Sequence, residues 1–303
     1  MFNGLQRRSI PAGDISFINH QYLHSCLGAT DPTMVWGTDV EAGNLLDFVR
    51  QYNTTSDILV SPAHLLVAAV GRCLKQFPRL NSRVVGHRIY PFREIDIRVV
   101  TCNPRTADVD IVSIPQADKI SVDEIAKNLW DAQLQIANKE HVDRFDKWIL
   151  SAGPAWMRQL IARTFWWANR SFRLPRIGRI DRHLDASAIV NYLGDASSPP
   201  MRMYKPSKFP DECSLLSVTM GRWEEQPVVE NNEVVVRRVA PLFVRADHRI
   251  TDAHELSRFV GSLREMLATP ETLLERTNDS SDVSDEQAHE ATAQSRTPHQ
   301  QAA

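Results

Sequence analysis

The stretch from Ala240 to Leu267 limits what this chain can fold into more than any other. Leu242, Val244 and Ala246 recur at period two, the pattern of a buried strand, and His248 would continue the same face. Leu256, Phe259, Val260, Leu263 and Leu267 then recur three or four apart, which is one apolar stripe of a helix. His248 and Asp252 fall at the corner between the two. Asp252 is expected in the first helical turn, where the helix dipole favours a carboxylate. The His-x-x-x-Asp spacing says little by itself: with ten histidines in the chain, it arises by chance about 0.7 times. Its plain reading is a histidine at a helix start beside a capping aspartate, so its neighbourhood has to decide.

A chain of 303 residues holds one large domain or two small ones, and a hydrophobic content of 43% supports a sizeable core. The formal net charge of -2 gives no basis for nucleic acid as a main partner. Cys26, Cys73, Cys102 and Cys213 are scattered without a C-x-x-C pair, so they read as small core residues in a reducing compartment. Residues 1–8 lack the apolar run of a secretory signal, and no stretch of 18 uncharged apolar residues occurs. A cytoplasmic location without a membrane span is the expectation. His20 and His24 lie four apart on an expected helix from Ile15 to Cys26, but no third ligand accompanies them. They read as surface or core histidines, and no metal is expected.

Taken in order, Met34–Val40 reads as a strand and Glu41–Tyr52 as a short helix. Ser61 is then an N-cap with Pro62 at the first helical position. Leu65–Phe77 is almost continuously apolar, so this helix should be buried on all sides until Pro78 stops it. Arg79–Tyr90, Ile95–Thr101 and Val109–Ile114 read as strands. Ser121-Val-Asp-Glu124 is a capping box that opens a helix to about Ala137. Ala188–Gly194 and Glu212–Arg222 are further strands. Pro227–Val236 is a hairpin turned at Asn231-Asn232, since asparagine tolerates positive φ.

Residues 139–185 interrupt this alternation. They hold Trp148, Trp156, Trp166 and Trp167 and a basic run from Arg170 to Arg182, and two helices broken at Gly153-Pro154 fit them. Arg158 and Arg163 exclude a membrane span. Two readings stay open: a basic aromatic helix lying on a membrane surface, or a helical insertion packed on its own domain or on a neighbouring subunit. Residues 277–303 are almost devoid of apolar side chains and should form a disordered tail.

Several phrases now stand in a telling order. They are Pro78-Arg-Leu-Asn-Ser-Arg-Val-Val-Gly86, Val112-Ser-Ile114, Asp118-Lys-Ile-Ser121, Glu124-Ile-Ala126, Ala188-Ile-Val-Asn-Tyr-Leu-Gly194 and Asp247-His-Arg-Ile-Thr-Asp252. The set resembles the catalytic domain of the acyltransferase subunit of 2-oxoacid dehydrogenase complexes, and chloramphenicol acetyltransferase is similar in fold and motif. The resemblance covers roughly residues 33–138 and 186–275. It implies an α/β (α+β) fold, a chloramphenicol acetyltransferase-like mixed β-sheet with packed helices. One catalytic domain would span residues 1–276, with the insertion at about 139–185 inside it.

The same resemblance implies a coenzyme A-dependent acyltransferase. His248 would be the general base, and Asp252 a structural residue paired with an arginine, for which Arg7 and Arg8 are candidates. The oxyanion donor would come from the position of Asn191, where the family has serine, and Ala253 replaces the family's glycine after Asp252. Coenzyme A thioester would be the substrate, with lipoamide as a further candidate. Cofactor-binding residues and the acceptor are not legible. The family's site lies between subunits of a trimer, so a homotrimer is expected. The chain reads as free-standing, without a lipoyl domain. The alternatives are a catalytically silent scaffold and a membrane-surface enzyme acting on a lipid.

Overall fold

The computed structural model describes residue 6, residues 8–11, residue 14 and residues 32–102, 109–138, 154–171, 186–194 and 216–274. The helix expected from Ile15 to Cys26 with His20 and His24, the first of the two insertion helices, the basic run and the tail lie outside them. In chain order the elements are β1 (Thr33–Glu41), α1 (Gly43–Thr55), α2 (Pro62–Gln76), β2 (Ser82–Val85), β3 (Arg88–Pro91), β4 (Ile97–Cys102), β5 (Val109–Ile114) and α3 (Val122–Asn138). There follow α4 (Ala155–Ser171), β6 (Ala188–Tyr192), β7 (Leu216–Met220), β8 (Glu224–Glu230), β9 (Glu233–Asp247), α5 (Ala253–Ala268) and a 3-10 turn at Pro270–Leu273.

Among the described residues the strands form a seven-stranded sheet ordered β1-β9-β7-β6-β4-β5, with β8 joined to β9 outside that path, and a separate β2–β3 hairpin. β4, β6 and β7 pair in parallel, while β1, β5, β7 and β8 meet their other neighbours antiparallel. This is the mixed sheet with packed helices that the sequence led us to expect. Register places Val190, Val218 and Val244 in one row across β6, β7 and β9, and all three are fully buried. They share a core with Leu65 and Leu66 of α2, Ile125 and Leu129 of α3, and Leu256, Phe259 and Leu263 of α5. Side chains alternate across a strand, so Asn191, Thr219 and Phe243 form the next row on the opposite face. That face is only half-buried.

Helix α2 is buried on nearly every side, as its composition requires: 12 of its 15 residues are inaccessible. Gly71 lets it approach the chain closely, because a Cβ there would lie 2.9 Å from the Ala117 carbonyl group. Arg72 is the buried charge in this apolar helix. Its guanidinium donates to the Thr272 carbonyl at 2.7 Å and the Leu273 carbonyl at 2.5 Å, which anchors the 3-10 turn. The stretch Arg79–Tyr90 is a hairpin rather than one strand, because Gly86 at φ 61° turns the chain. Asn231 and Asn232 take φ of 50° and 64°, the positive values that a two-residue type I′ hairpin demands.

The outer part of β9, residues 233–238, pairs with β8 in a two-stranded ribbon. The pairs Pro227↔Val236 and Val229↔Val234 bring four apolar side chains to one ribbon face. Val229, Val234 and Val236 are 73%, 71% and 65% exposed.

The N-terminus of α2 carries a titrating cap. His64 stands three residues after Ser61, and its Nδ1 accepts the Ser61 N–H at 3.0 Å. The ring packs edge-on against Trp130, whose indole N–H donates to the Leu59 carbonyl at 2.8 Å. Burial pushes the His64 imidazole down from its ordinary 6.5 to about 4. The folded chain therefore holds His64 neutral where the unfolded chain protonates it. Its stabilising contribution is whole above pH 6.5 and is lost as pH falls toward about 4, amounting to about 3 kcal/mol. His64→Gln keeps an acceptor for the Ser61 N–H but does not titrate. Urea midpoints measured between pH 7 and pH 4 should show the wild type losing stability relative to this variant as the pH drops.

Candidate active site

The corner after β9 is built by three consecutive residues and a helix cap. β9 ends at Asp247, and the Ile250 N–H donates back to the Asp247 carbonyl at 3.0 Å. The strand alternation expected to include His248 therefore stops one residue short of it. His248 lies in the turn, held to the sheet by its own N–H, which donates to the Pro32 carbonyl at 2.8 Å. The Asp247 carboxylate accepts the Arg249 backbone N–H at 2.8 Å, Arg249 Nε at 3.0 Å and Arg249 Nη2 at 2.5 Å. Both side chains are buried, Asp247 at 0% and Arg249 at 6% exposure. A charged pair removed from water this completely is tolerated only when such multiple bonds satisfy it.

Asp252 sits at the N-cap of α5, one position before the helical turn assigned to it from sequence. Its carboxylate accepts the Glu255 N–H at 2.9 Å. Thr251, fully buried, donates its hydroxyl to the Glu255 carboxylate at 2.9 Å. Arg7, one candidate partner for Asp252, lies outside the described residues. At the described corner Asp247 pairs with Arg249. Sequence reasoning missed it, although Asp-x-Arg bracketing a turn histidine was a readable signal. On the outer side, Ile250 packs with Val84 and Ile89 of the β2–β3 hairpin and with Ile10. Ile10 donates its N–H to the Ile89 carbonyl at 2.9 Å.

This frame sets the chemistry of the imidazole. His248 Nδ1 lies 3.0 Å from the Thr251 carbonyl oxygen. A carbonyl only accepts, so Nδ1 must carry the proton in the neutral ring, which leaves the lone pair on Nε2. The half-buried ring is thus fixed in one tautomer with its basic nitrogen directed away from the corner.

Asn191 is not brought to this histidine within the chain. It pairs in register with Thr219, and Thr219 with Phe243. Those two steps across the sheet amount to about 10 Å, and the run from Phe243 to His248 adds about 16 Å along β9. The separation is roughly 18 Å between backbones, far more than one thioester spans. His248 stands at the end of the sheet where β6 and β7 begin, Asn191 toward the end where they finish, on the half-exposed face.

Comparison with known proteins bears on this arrangement. The model of the 2-oxoacid dehydrogenases acyltransferase (catalytic domain) family matches residues 27–142 and 210–275. The dihydrolipoyllysine-residue succinyltransferase component of the 2-oxoglutarate dehydrogenase complex of Haemophilus influenzae is 23% identical over 208 residues, 69% of this chain and 40% of that protein. Its counterpart from Cupriavidus necator is 24% identical over 208 residues, 69% of this chain and 39% of its own length. The matched part thus spans about two fifths of these relatives. Among solved structures, a probable dihydrolipoamide acetyltransferase from Listeria monocytogenes superposes with a TM-score of 0.58 at 16% identity, covering 89% of this chain and 97% of that one. The dihydrolipoamide acetyltransferase of Azotobacter vinelandii gives 0.59 at 17% identity, with 89% and 95% covered. At such identities the structures speak for the fold. The family match, over more than half of the residues and including the His248 corner, speaks for descent: the chain belongs to the 2-oxoacid dehydrogenase acyltransferase catalytic-domain family.

Proposed function

We propose that the protein transfers acyl groups between thiols, with coenzyme A thioester as one substrate, His248 as general base and Asn191 of a neighbouring copy as the oxyanion donor. The observation that carries this reading is the bond from His248 Nδ1 to the Thr251 carbonyl. It supports an imidazole whose Nε2 is poised to take a proton before any substrate arrives. The related Azotobacter vinelandii enzyme has been probed at a serine, a histidine and an asparagine, the last two four residues apart. His248 and Asp252 have that spacing. The Haemophilus influenzae relative acts on a dihydrolipoyllysine residue, which makes a dihydrolipoyl thiol the first acceptor to test here.

The steps follow from the two groups. Nε2 of His248 takes the proton from the incoming thiol, and its sulfur attacks the carbonyl carbon of the acyl thioester. The oxyanion that forms accepts a bond from the Asn191 side-chain N–H. Collapse reforms the carbonyl and expels the original sulfur, which takes back the proton from Nε2. Asp252 acts through the corner as the cap of α5, and the Asp247–Arg249 pair holds the same turn.

Two features support a site shared between copies, and a homotrimer as its frame. One is the separation of Asn191 from His248 along the sheet. The other is the bare apolar face of the β8–β9 ribbon, since a two-stranded ribbon rarely leaves such a face to water. A non-catalytic relative that keeps only the fold is the competing reading, and the asparagine in place of serine favours it.

With acetyl-coenzyme A and dihydrolipoamide as probes, His248→Ala should lower turnover about 10²–10⁴-fold. Asn191→Ala should lower kcat about 10²–10³-fold with little change in thioester binding. Co-assembled in equal amounts, these two inactive variants should recover about a quarter of wild-type activity, because each intact group sits on a different chain. No recovery on mixing would exclude the shared site, and a wild type with no turnover on any acyl-coenzyme A would favour the non-catalytic reading.

The ribbon has its own test. Val229→Lys with Val234→Glu replaces an apolar cross-strand pair by a charged one that still holds the hairpin. Light scattering should give the wild type about three times the 34.4 kDa chain mass and the double variant a single chain mass. A wild-type monomer would overturn the trimer, and an unchanged mass in the variant would remove the ribbon from the interface.

A further inference from the structure

Helix α4 presents to solvent what a domain helix normally buries. Trp156, Leu160, Arg163 and Trp167 follow at intervals of four, three and four residues, so they lie in one stripe along the helix. Trp156 is 66%, Leu160 57% and Trp167 56% exposed. Arg163 is exposed among them, and Gln159 and Thr164 flank them, also exposed. The C-terminal end of the helix rests against the β2–β3 turn: the Ser171 carbonyl lies 3.6 Å from where a Cβ on Gly86 would stand. The ridge from Trp156 to Trp167 is about 16 Å long at 1.5 Å per residue.

We infer that α4 lies flat on an anionic lipid bilayer surface, with Trp156, Leu160 and Trp167 in the headgroup boundary and Arg163 against lipid phosphate. This goes beyond the acyl-transfer reading and stands independently of it. The first support is the choice of side chains. Tryptophan is the residue that settles at the membrane–water boundary, apolar ring inward and N–H toward water, and here one stands near each end of the stripe. The second is the distribution of charge. From residue 147 to residue 180 the sequence holds seven Lys and Arg and no Asp or Glu. The rest of the chain therefore carries 28 basic residues (35 less 7) against all 37 acidic ones. A net charge near zero conceals a strongly basic stretch of sequence in an otherwise acidic chain, and the part of it within α4 favours a negative surface. The third is the exposure itself: Trp156, Leu160 and Trp167 all stand open to solvent along one stripe. Among the described residues no helix is long and apolar enough to cross a membrane, so α4 would lie on the bilayer.

Sedimentation of the full chain with vesicles tests this. It should bind vesicles of phosphatidylglycerol mixed with phosphatidylcholine and leave phosphatidylcholine vesicles largely unbound. Raising the salt to about 0.5 M should weaken binding, since exposed charges are then screened over a few ångströms. Trp156→Ser with Leu160→Ser and Trp167→Ser should reduce partitioning at least tenfold while the oligomeric mass and circular dichroism stay unchanged. Arg163→Glu, a single exposed change, guards against misfolding of the triple variant. It alters two unit charges near the surface and should lower binding about 25-fold, roughly fivefold per charge. Absence of binding to anionic vesicles overturns the proposal, and so does binding by both variants equal to that of the wild type. A triple variant that loses subunits from the assembly, with no vesicle binding by the wild type, would assign α4 to a protein interface instead.

Discussion

A buried ion pair between two residues separated by one other governs the corner where β9 meets α5. Asp247 and Arg249 have almost no solvent contact, and losing either partner would strand the other charge at a penalty of about 3–5 kcal/mol. The pair closes only if the chain turns between them, and the residue between them is His248. The histidine is thus held by its own sequence neighbours. The Pro32 carbonyl takes its N–H and the Thr251 carbonyl takes its ring proton, so backbone, ring orientation and tautomer are specified by separate partners. Under the acyl-transfer reading such preorganisation serves a general base, because any freedom of the ring would have to be lost again at each turnover.

The rest of the fold supplies rigid supports for that corner. β9 is an interior strand of the described sheet, held by β1 on one side and β7 on the other. The helix that follows it packs Leu256, Phe259 and Leu263 into the main core. The β2–β3 hairpin closes the outside through Val84, Ile89 and Ile250. The same strand reaches from the apolar ribbon at Val234 to the corner at Asp247 without a break. Under the shared-site reading, one stiff element then connects the surface that meets another copy with the base that needs it.

Much of the fold was legible because its signals are local. The apolar run after Ser61 and Pro62, the Ser121–Glu124 capping box and the Asn231-Asn232 turn each declare an element through neighbouring residues, and each is present. The two-stranded break at Gly86 was not foreseen, since β-branched and apolar residues on both sides read as one extended strand. At the site, the position of His248 at the corner was legible, but its strand pairing was not. Alternation predicts a face only while the ladder continues, and the Asp247–Arg249 pair ends it. The Asp247–Arg249 bond itself escaped because the resemblance assigns the arginine to Asp252, although the Asp-x-Arg spacing around the turn was readable. The separation of Asn191 from His248 depends on strand order, and it is long-range pairing that sets strand order.

The parallel pairing of β4 with β6 carries a consequence of its own. Parallel neighbours need a crossover of a dozen residues or more, and here that crossover contains α3 and α4. Its first part, β5 and α3, is fixed by the sheet and the core, while the length of chain between α3 and β6 is not set by strand pairing. Doubling the length of a flexible connection raises the entropy of closing it by only about 0.6 kcal/mol. Such a fold can accept extra chain between α3 and β6 at little thermodynamic penalty and without disturbing the register of β6, which holds Asn191, or of β9, which leads to His248. Evolution can therefore attach new surface chemistry at this point and leave the catalytic frame unaltered.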